Sequence, residues 1–259
     1  EIKKSGGEVD SGKPNDSVLL IDGMNLFIRV FSAIPTTNED GVHVGGIVGF
    51  LRSLAFNINM IRPTRTIIVF DGKGGSNRRR KIFPEYKMGR KMSYRLNRAH
   101  DFLTREEEQK MMIRQLNRVV EYLECLPVSV MNMENCEADD IIAVLTKHAT
   151  EDVMIVSGDK DFQQLQKYDY VRQWSPNLNK EVVCEDADMF LLEHILKGDK
   201  SDGIPNILSN DDCLDLGIRQ TPLRKPVLEK YLRISIENDD KYYRNYLRNQ
   251  TLIDFEMIP

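Results

Sequence analysis

The chain has 259 residues, 41% of them hydrophobic and 29% charged, with a net charge of −4. That length and mix suit one large α/β domain, or one domain with a small appendage, and no apolar run approaches the ~18 residues of a membrane span. No secretory signal opens the chain, and Cys125, Cys136, Cys184 and Cys213 have neither zinc-ligand nor paired spacing, so reduced thiols in a cytoplasmic protein are expected.

Residues 1–16 are polar, aperiodic and glycine-rich, and read as a disordered tail or an appended remnant. Ser17–Ile21 is an unbroken apolar run, a buried strand ending at Asp22-Gly23. Gly45–Met60 carries Ile47, Phe50, Leu51, Leu54 and Ile58 at helical spacing. Thr66–Phe70 is a second buried strand ending at Asp71-Gly72. Glu85–Phe102 has helical spacing too, and Thr104–Leu123 is a long helix opened by a Thr104/Glu107 capping box. A short strand at Val128–Met131 and a helix at Glu137–Lys147 follow. Asp152–Ser157 is another buried strand, ending at Gly158-Asp159. Apolar strands alternating with helices predict a mostly parallel sheet covered on both faces. Beyond Asp186 the pattern changes to helices and polar turns, a helical subdomain over 186–259 after a catalytic α/β domain over 17–185.

Ligands of such sheets bind beyond the carboxyl ends of the strands. Three strands deliver Asp22, Asp71 and Asp159 there, and Asp161 follows in SGDKDF. CEADDI adds Glu137, Asp139 and Asp140 at a helix start, and LKGDKSDGIP adds Asp199 and Asp202. Any one aspartate after a strand is more often a turn former or helix cap. Nine carboxylates from separate segments at one edge outweigh that reading. Such a cluster needs cations, and all-oxygen ligands suit Mg²⁺ or Mn²⁺, two of which can clamp a phosphodiester. Histidines 43, 100, 148 and 194 share no motif and are given no part.

Between Lys73 and His100 the segment is +9, leaving −13 on the remainder. Lys87, Arg90, Lys91, Tyr94, Arg95 and Arg98 fall on one helical stripe, with Met88, Met92, Leu96, Ala99 and Leu103 beside it. A charge run is usually a solvated face. The near-absence of acids favours phosphate contact instead, with Tyr86 and Tyr94 as candidate stacking rings. Trp174 and the phenylalanines are assigned to the core.

LLIDGMN (19–25), VFDGKGG (69–75), PEYKMGRK (84–91), CEADDIIA (136–143), VSGDKDFQQL (156–165) and LKGDKSDGIPNI (196–207) together resemble the flap endonuclease/5′-3′ exonuclease superfamily. Within it, VRQWSP (171–176) and LIDFEMIP (252–259) resemble the bacteriophage RNase H branch of the T-even type. The resemblance implies a PIN-like α/β fold, a helical arch at about 73–103, and a C-terminal helix-hairpin-helix-like subdomain. It implies hydrolysis at 5′ ends of DNA and RNA–DNA duplexes, and primer removal in phage replication within the host cytoplasm. By position, Asp22, Asp71, Glu137 and Asp139 match the first-metal group, and Asp159, Asp161 and Asp199 the second, with Asp140 and Asp202 as further ligands. Lys87 and Arg90 match the basic pair that meets the scissile phosphate, joining Asp71, Asp139 and Asp159 as the residues expected to act on the reaction. Arg79, Arg80, Tyr86, Lys91, Tyr94, Arg95, Arg98 and Lys200 complete the expected nucleic-acid contacts.

Two departures stand out. Asn206 replaces a usual glycine, and 209–225 lacks Gly-x-Gly, which puts the family's K⁺ site in doubt and turns attention to Arg219, Arg224 and Lys225 for duplex grip. The chain also ends at Pro259, where a further helical region and clamp-binding tail are expected in phage relatives. A single-strand-binding protein, a sliding clamp and a monomeric state are implied by resemblance alone. Competing readings are a PIN-type RNA endonuclease, disfavoured by the arch and the GDKSDGIP subdomain, and an inactive DNA-junction-binding module, disfavoured by the retention of all nine acids.

Overall fold

The computed structural model of the chain describes residues 16–88, 104–233 and 240–259. One six-stranded sheet has the order β3-β2-β1-β4-β5-β6, with β1 Ser17–Asp22, β2 Arg65–Val69, β3 Ser129–Met131, β4 Asp152–Val156, β5 Val171–Ser175 and β6 Lys180–Val182. All neighbours pair in parallel except β5 and β6. β1 is central, and its two sides are filled by β2 and β4, which places a topological switch point at the carboxyl end of β1.

Alternate residues of the strands feed two cores, the outcome expected where a sheet is covered on both faces. On one face Leu19, Ile21, Ile68 and Val156 pack with helices α1 (Gly23–Ala33), α2 (Gly45–Ile61) and α4 (Arg105–Leu123). On the other, Leu20, Val69 and Ile155 pack with α5 (Ala138–Lys147) and the 3-10 segment Lys160–Lys167. Trp174 is half-buried against the first core. The capping box at Thr104 and Glu107 is formed.

Beyond Asp186, α6 (Ala187–Lys197), α7 (Lys225–Arg233) and α8 (Asp240–Ile253) build two smaller cores. The chain then returns to the sheet. Phe255 packs on Phe162 with ring centroids 5.9 Å apart, and Glu256 meets Lys147, Lys167 and Tyr168. The terminal residues therefore close the α/β layer and do not extend the helical region.

The basic segment departs from its predicted helix. A short helix α3 (Asn77–Ile82) comes first, and Glu85–Met88 is a turn. Lys87 takes the left-handed conformation, φ 57°, and its N–H donates to Asp202 O at 2.7 Å. Tertiary docking onto the 199–204 loop overrides the helical spacing there. Arg90, Lys91, Tyr94, Arg95 and Arg98, with most of the expected arch, lie outside the described residues, as does the tail over 1–15. Among the described residues no helix is long and apolar enough to cross a membrane, and the four cysteines are free thiols.

Candidate metal centre

Asp22 ends the central strand and caps α1, accepting a hydrogen bond from Asn25 N–H at 3.0 Å and one from the Ser157 hydroxyl at 3.0 Å. Burial pushes its carboxyl up to about 7, with repulsion from Asp71 and Asp159 adding to the effect and the two hydrogen bonds opposing it. Asp71 follows β2 and is exposed. Its Oδ1 accepts from Ala138 N–H at 2.8 Å, which ties β2 to the start of α5. The bend that allows this needs Gly72, where a side-chain carbon would stand 1.7 Å from Met133 O.

Asp139, in the first turn of α5, is raised well above the usual carboxylate range by burial and then by Asp22 and Asp159. Asp159 caps the 3-10 segment and accepts from Asp161 N–H at 3.0 Å. Asp161 is likewise raised by burial and by Asp159, Asp199 and Asp202. This chain of repulsions joins residues from five segments into one acidic cluster at the carboxyl edge of β1, β2 and β4. Such an arrangement is unstable without counter-charge.

Cations lie at two of its edges. The Lys87 ammonium donates to Glu137 Oε1 at 2.6 Å and stands 3.7 Å from Asp202 Oδ2. Burial works against its charge, but Asp202, Glu137 and Asp139 hold its pKa above the ordinary value. At the other edge Lys160 lies 3.0 Å from Asp199 Oδ2. Asp199 also accepts from Ser201 N–H at 2.7 Å and Ser201 Oγ at 2.6 Å. Although burial raises it, His194, Ser201 and Lys160 together hold this carboxyl well below the usual range.

A family model for the 5′-3′ exonuclease N-terminal resolvase-like domain matches residues 17–191. The chain belongs to the 5′-3′ exonuclease family. Ribonuclease H of Enterobacteria phage T4 is 30% identical over 81% of the chain and 71% of its own length. The 5′-3′ exonuclease of Mycobacterium tuberculosis is 28% identical over 85% of the chain and 78% of its own length. DNA polymerase I of Bacillus subtilis is 31% identical over 73% of the chain, which spans only 22% of that protein. Among solved structures, bacteriophage T5 D15 protein co-crystallised with metal ions superposes with a TM-score of 0.65, covering 92% of this chain and 89% of its own. T5 D15 flap endonuclease in complex with DNA and metal ions superposes equally well, at 0.65. At 20% and 21% identity these two share the fold.

In this exonuclease three expected roles need correction. Asp140 does not face the cluster. Both its oxygens accept from Arg79, at 2.7 and 3.0 Å, and Oδ2 also accepts from Glu137 N–H at 3.2 Å. Arg79, expected on the nucleic acid, is only 4% exposed, donates to Glu137 Oε2 at 2.7 Å, and reaches Leu252 O at 3.0 Å. Tyr86, expected to stack on a base, is 1% exposed. Its hydroxyl is shared between Glu137 Oε2 at 2.9 Å and Asp202 Oδ2 at 3.0 Å. Burial and these two acids raise the phenol, so it stays a neutral donor.

Arg79 and Tyr86 thus position Glu137 from behind. Nothing in a run of four basic residues distinguishes the one that turns inward. Arg80 and Lys200 are exposed, as contacts to nucleic acid would need to be. Sequence reasoning gives His194, Ser157 and Lys160 no place in this neighbourhood; His194 stands in the last turn of α6 and Asp199 just past its end, so no helical spacing links the two.

Proposed function

We propose that this member of the 5′-3′ exonuclease family, a metal-dependent nuclease, uses Mg²⁺ held by the acidic cluster to hydrolyse phosphodiester bonds at 5′ ends of DNA and RNA–DNA duplexes, including flaps. The reading rests on one observation: Asp22, Asp71, Glu137, Asp139, Asp159, Asp161, Asp199 and Asp202 gather at the switch point of the sheet with too few cations among them. The donors are oxygens on the first-metal side, which suits a hard ion, and Mn²⁺ substitutes there. When bound, divalent ions supply an activated water and stabilise the leaving oxygen. The chain's own residues do the rest. Asp22, Asp71, Asp139 and Asp159 hold the charge, while Arg79 and Tyr86 orient Glu137. Lys87 stands over Glu137 and Asp202, where its ammonium can pass to a non-bridging phosphate oxygen as the scissile bond arrives.

The substrate is gripped outside the cluster. Lys160, Lys200, Asn206 and Arg219 line one open cleft of about 650 Å³ beside Asp199, and its charge fits a duplex backbone. Asn206 is not a simple substitute for glycine. Its side chain accepts from Leu208 N–H and Ser209 Oγ, at 3.0 and 2.9 Å, and donates to Thr221 O at 2.9 Å. The loop is thereby closed by protein groups, and K⁺ has no assigned role in this reading. Removal of RNA primers in phage replication, in the host cytoplasm, is the cellular role that fits this activity.

The test is cleavage of a 5′-labelled flapped duplex beside an RNA-primed duplex, with Mg²⁺ or EDTA. Short 5′ products dependent on Mg²⁺ are expected. Tight binding without cutting would favour the inactive junction-binding reading. Cutting of single-stranded RNA alone would favour the RNA endonuclease.

A further inference from the structure

His194 occupies an unusual position for a buried histidine. It lies on α6 with 6% of its surface exposed, its ring between two acids of the cluster. Nε2 is 3.2 Å from Asp199 Oδ2, within hydrogen-bond reach. Nδ1 faces Asp161 Oδ1 at 3.6 Å, and neither of these two buried atoms has a hydrogen-bond partner. With the ring proton on Nε2 donated to Asp199, Nδ1 presents a lone pair to a carboxylate oxygen that presents another. Two buried acceptors facing each other need a shared cation between them, a proton or a metal ion.

Asp199 is already saturated. It receives Ser201 on one oxygen and Lys160 with His194 on the other. It therefore has the position of the carboxylate that fixes a ligating imidazole from behind and orients the ring. Asp161, His194 and Asp199 each bring a donor atom within 4.8 Å of the others.

We propose that His194 Nδ1 is a nitrogen donor to the divalent ion on the Asp161 side of the cluster, with Asp199 as the residue that orients the ring. This rests on the metal-dependent reading above and goes beyond its all-oxygen ligand set. A mixed nitrogen and oxygen set favours borderline ions such as Co²⁺ or Zn²⁺, and to a lesser degree the hard but more imidazole-tolerant Mn²⁺, over Mg²⁺, whereas the Asp22–Asp71–Asp139 side keeps a hard-ion preference. The two halves of the centre would then differ in metal selectivity.

The probe is Mn²⁺ bound to full-length protein carrying ¹⁵N-histidine, read by pulsed electron paramagnetic resonance. A ¹⁵N coupling to bound Mn²⁺ is expected in the wild type and in His148→Gln, and its loss in His194→Gln. In calorimetric titration the His194→Gln variant should lose at least about tenfold in affinity for Mn²⁺ and less for Mg²⁺. His194→Asn serves if the glutamine variant fails to fold, and the wild-type signal needs neither. Bound Mn²⁺ without histidine coupling, or coupling retained after His194 is replaced, overturns the assignment while leaving the metal centre intact. Failure of the wild type to bind Mn²⁺ or Mg²⁺ at all overturns both.

Discussion

Asp139 and Asp140 are neighbours in sequence with opposite fates. Asp139 joins the repelling cluster, while Asp140 is neutralised by Arg79 through both oxygens. The CEADDI motif alone marks the pair, but the direction each side chain takes depends on Arg79 of α3, which bridges Asp140 to the Leu252 carbonyl of α8. Arg79 is the group that decides it, because its guanidinium satisfies Glu137, Asp140 and the Leu252 carbonyl at once. Removing it leaves buried Asp140 with Arg78 at 3.3 Å as its remaining cation and takes one donor from Glu137, which keeps Lys87 and Tyr86. Arg79→Met is therefore expected to cost about 3–5 kcal/mol in urea unfolding. The exposed neighbour change Arg80→Met should stay within about 0.5 kcal/mol. Equal costs for the two would refute the inward assignment of Arg79. Lys87 shows the same limit of legibility. The sequence predicts it on a helical stripe, whereas its left-handed backbone, a strain of order 1–3 kcal/mol, is imposed by the contact with Asp202 O, a residue far away in the chain.

At the scale of elements, β1, β2 and β4 were legible because strands buried on both faces are continuous apolar runs, and α4 because it begins with a capping box. β5 and β6 were not. VRQWS mixes polar and apolar residues, and β6 is three residues at the sheet edge. α2 begins at Gly45, as its helical spacing predicts, but without a local cap. Its N-cap Val44 makes no side-chain cap, and the missing acceptor comes from α4, where Gln115 Oε1 takes the N–H of Gly46 at 2.9 Å and of Ile47 at 3.3 Å. Gln115→Leu should cost about 1–3 kcal/mol in denaturant titration, since it strands buried donors; a neutral result would contradict this capping role. The returning C-terminus makes a pH-dependent contact. Bonds from Lys147 and Lys167 draw the Glu256 carboxyl down from 4.5 to about 2. A depressed folded pKa contributes stability above the unfolded value, and that stability is lost as pH falls from about 4.5 towards 2. Glu256 is 38% exposed, so screening limits the contribution to about 1 kcal/mol or less. The stability difference between wild type and Glu256→Gln should close as pH falls through that window, and a constant difference would refute the linkage.

Across the whole molecule, the division between a +9 segment and a −13 remainder corresponds to two physical tasks. The parallel sheet brings distant acids together at its switch point, and the basic residues of the described region divide between an inward framework, Arg79 and Lys87, and exposed groups such as Arg80 and Lys200. Sequence motifs single out the acids that the sheet brings near one another. They did not single out His194 or Lys160, which reach Asp199 only because of how α6 and the 3-10 segment meet. The central claim is that the acidic cluster performs metal-dependent cleavage. It is tested most directly at Asp71, where asparagine can keep the hydrogen bond from Ala138 N–H and removes only the charge. Single-turnover cutting of a 5′-flapped duplex by Asp71→Asn, with binding of the same DNA measured alongside, should fall by at least about a hundredfold while affinity stays essentially unchanged. Cutting at the wild-type rate with saturating Mg²⁺ would contradict the account.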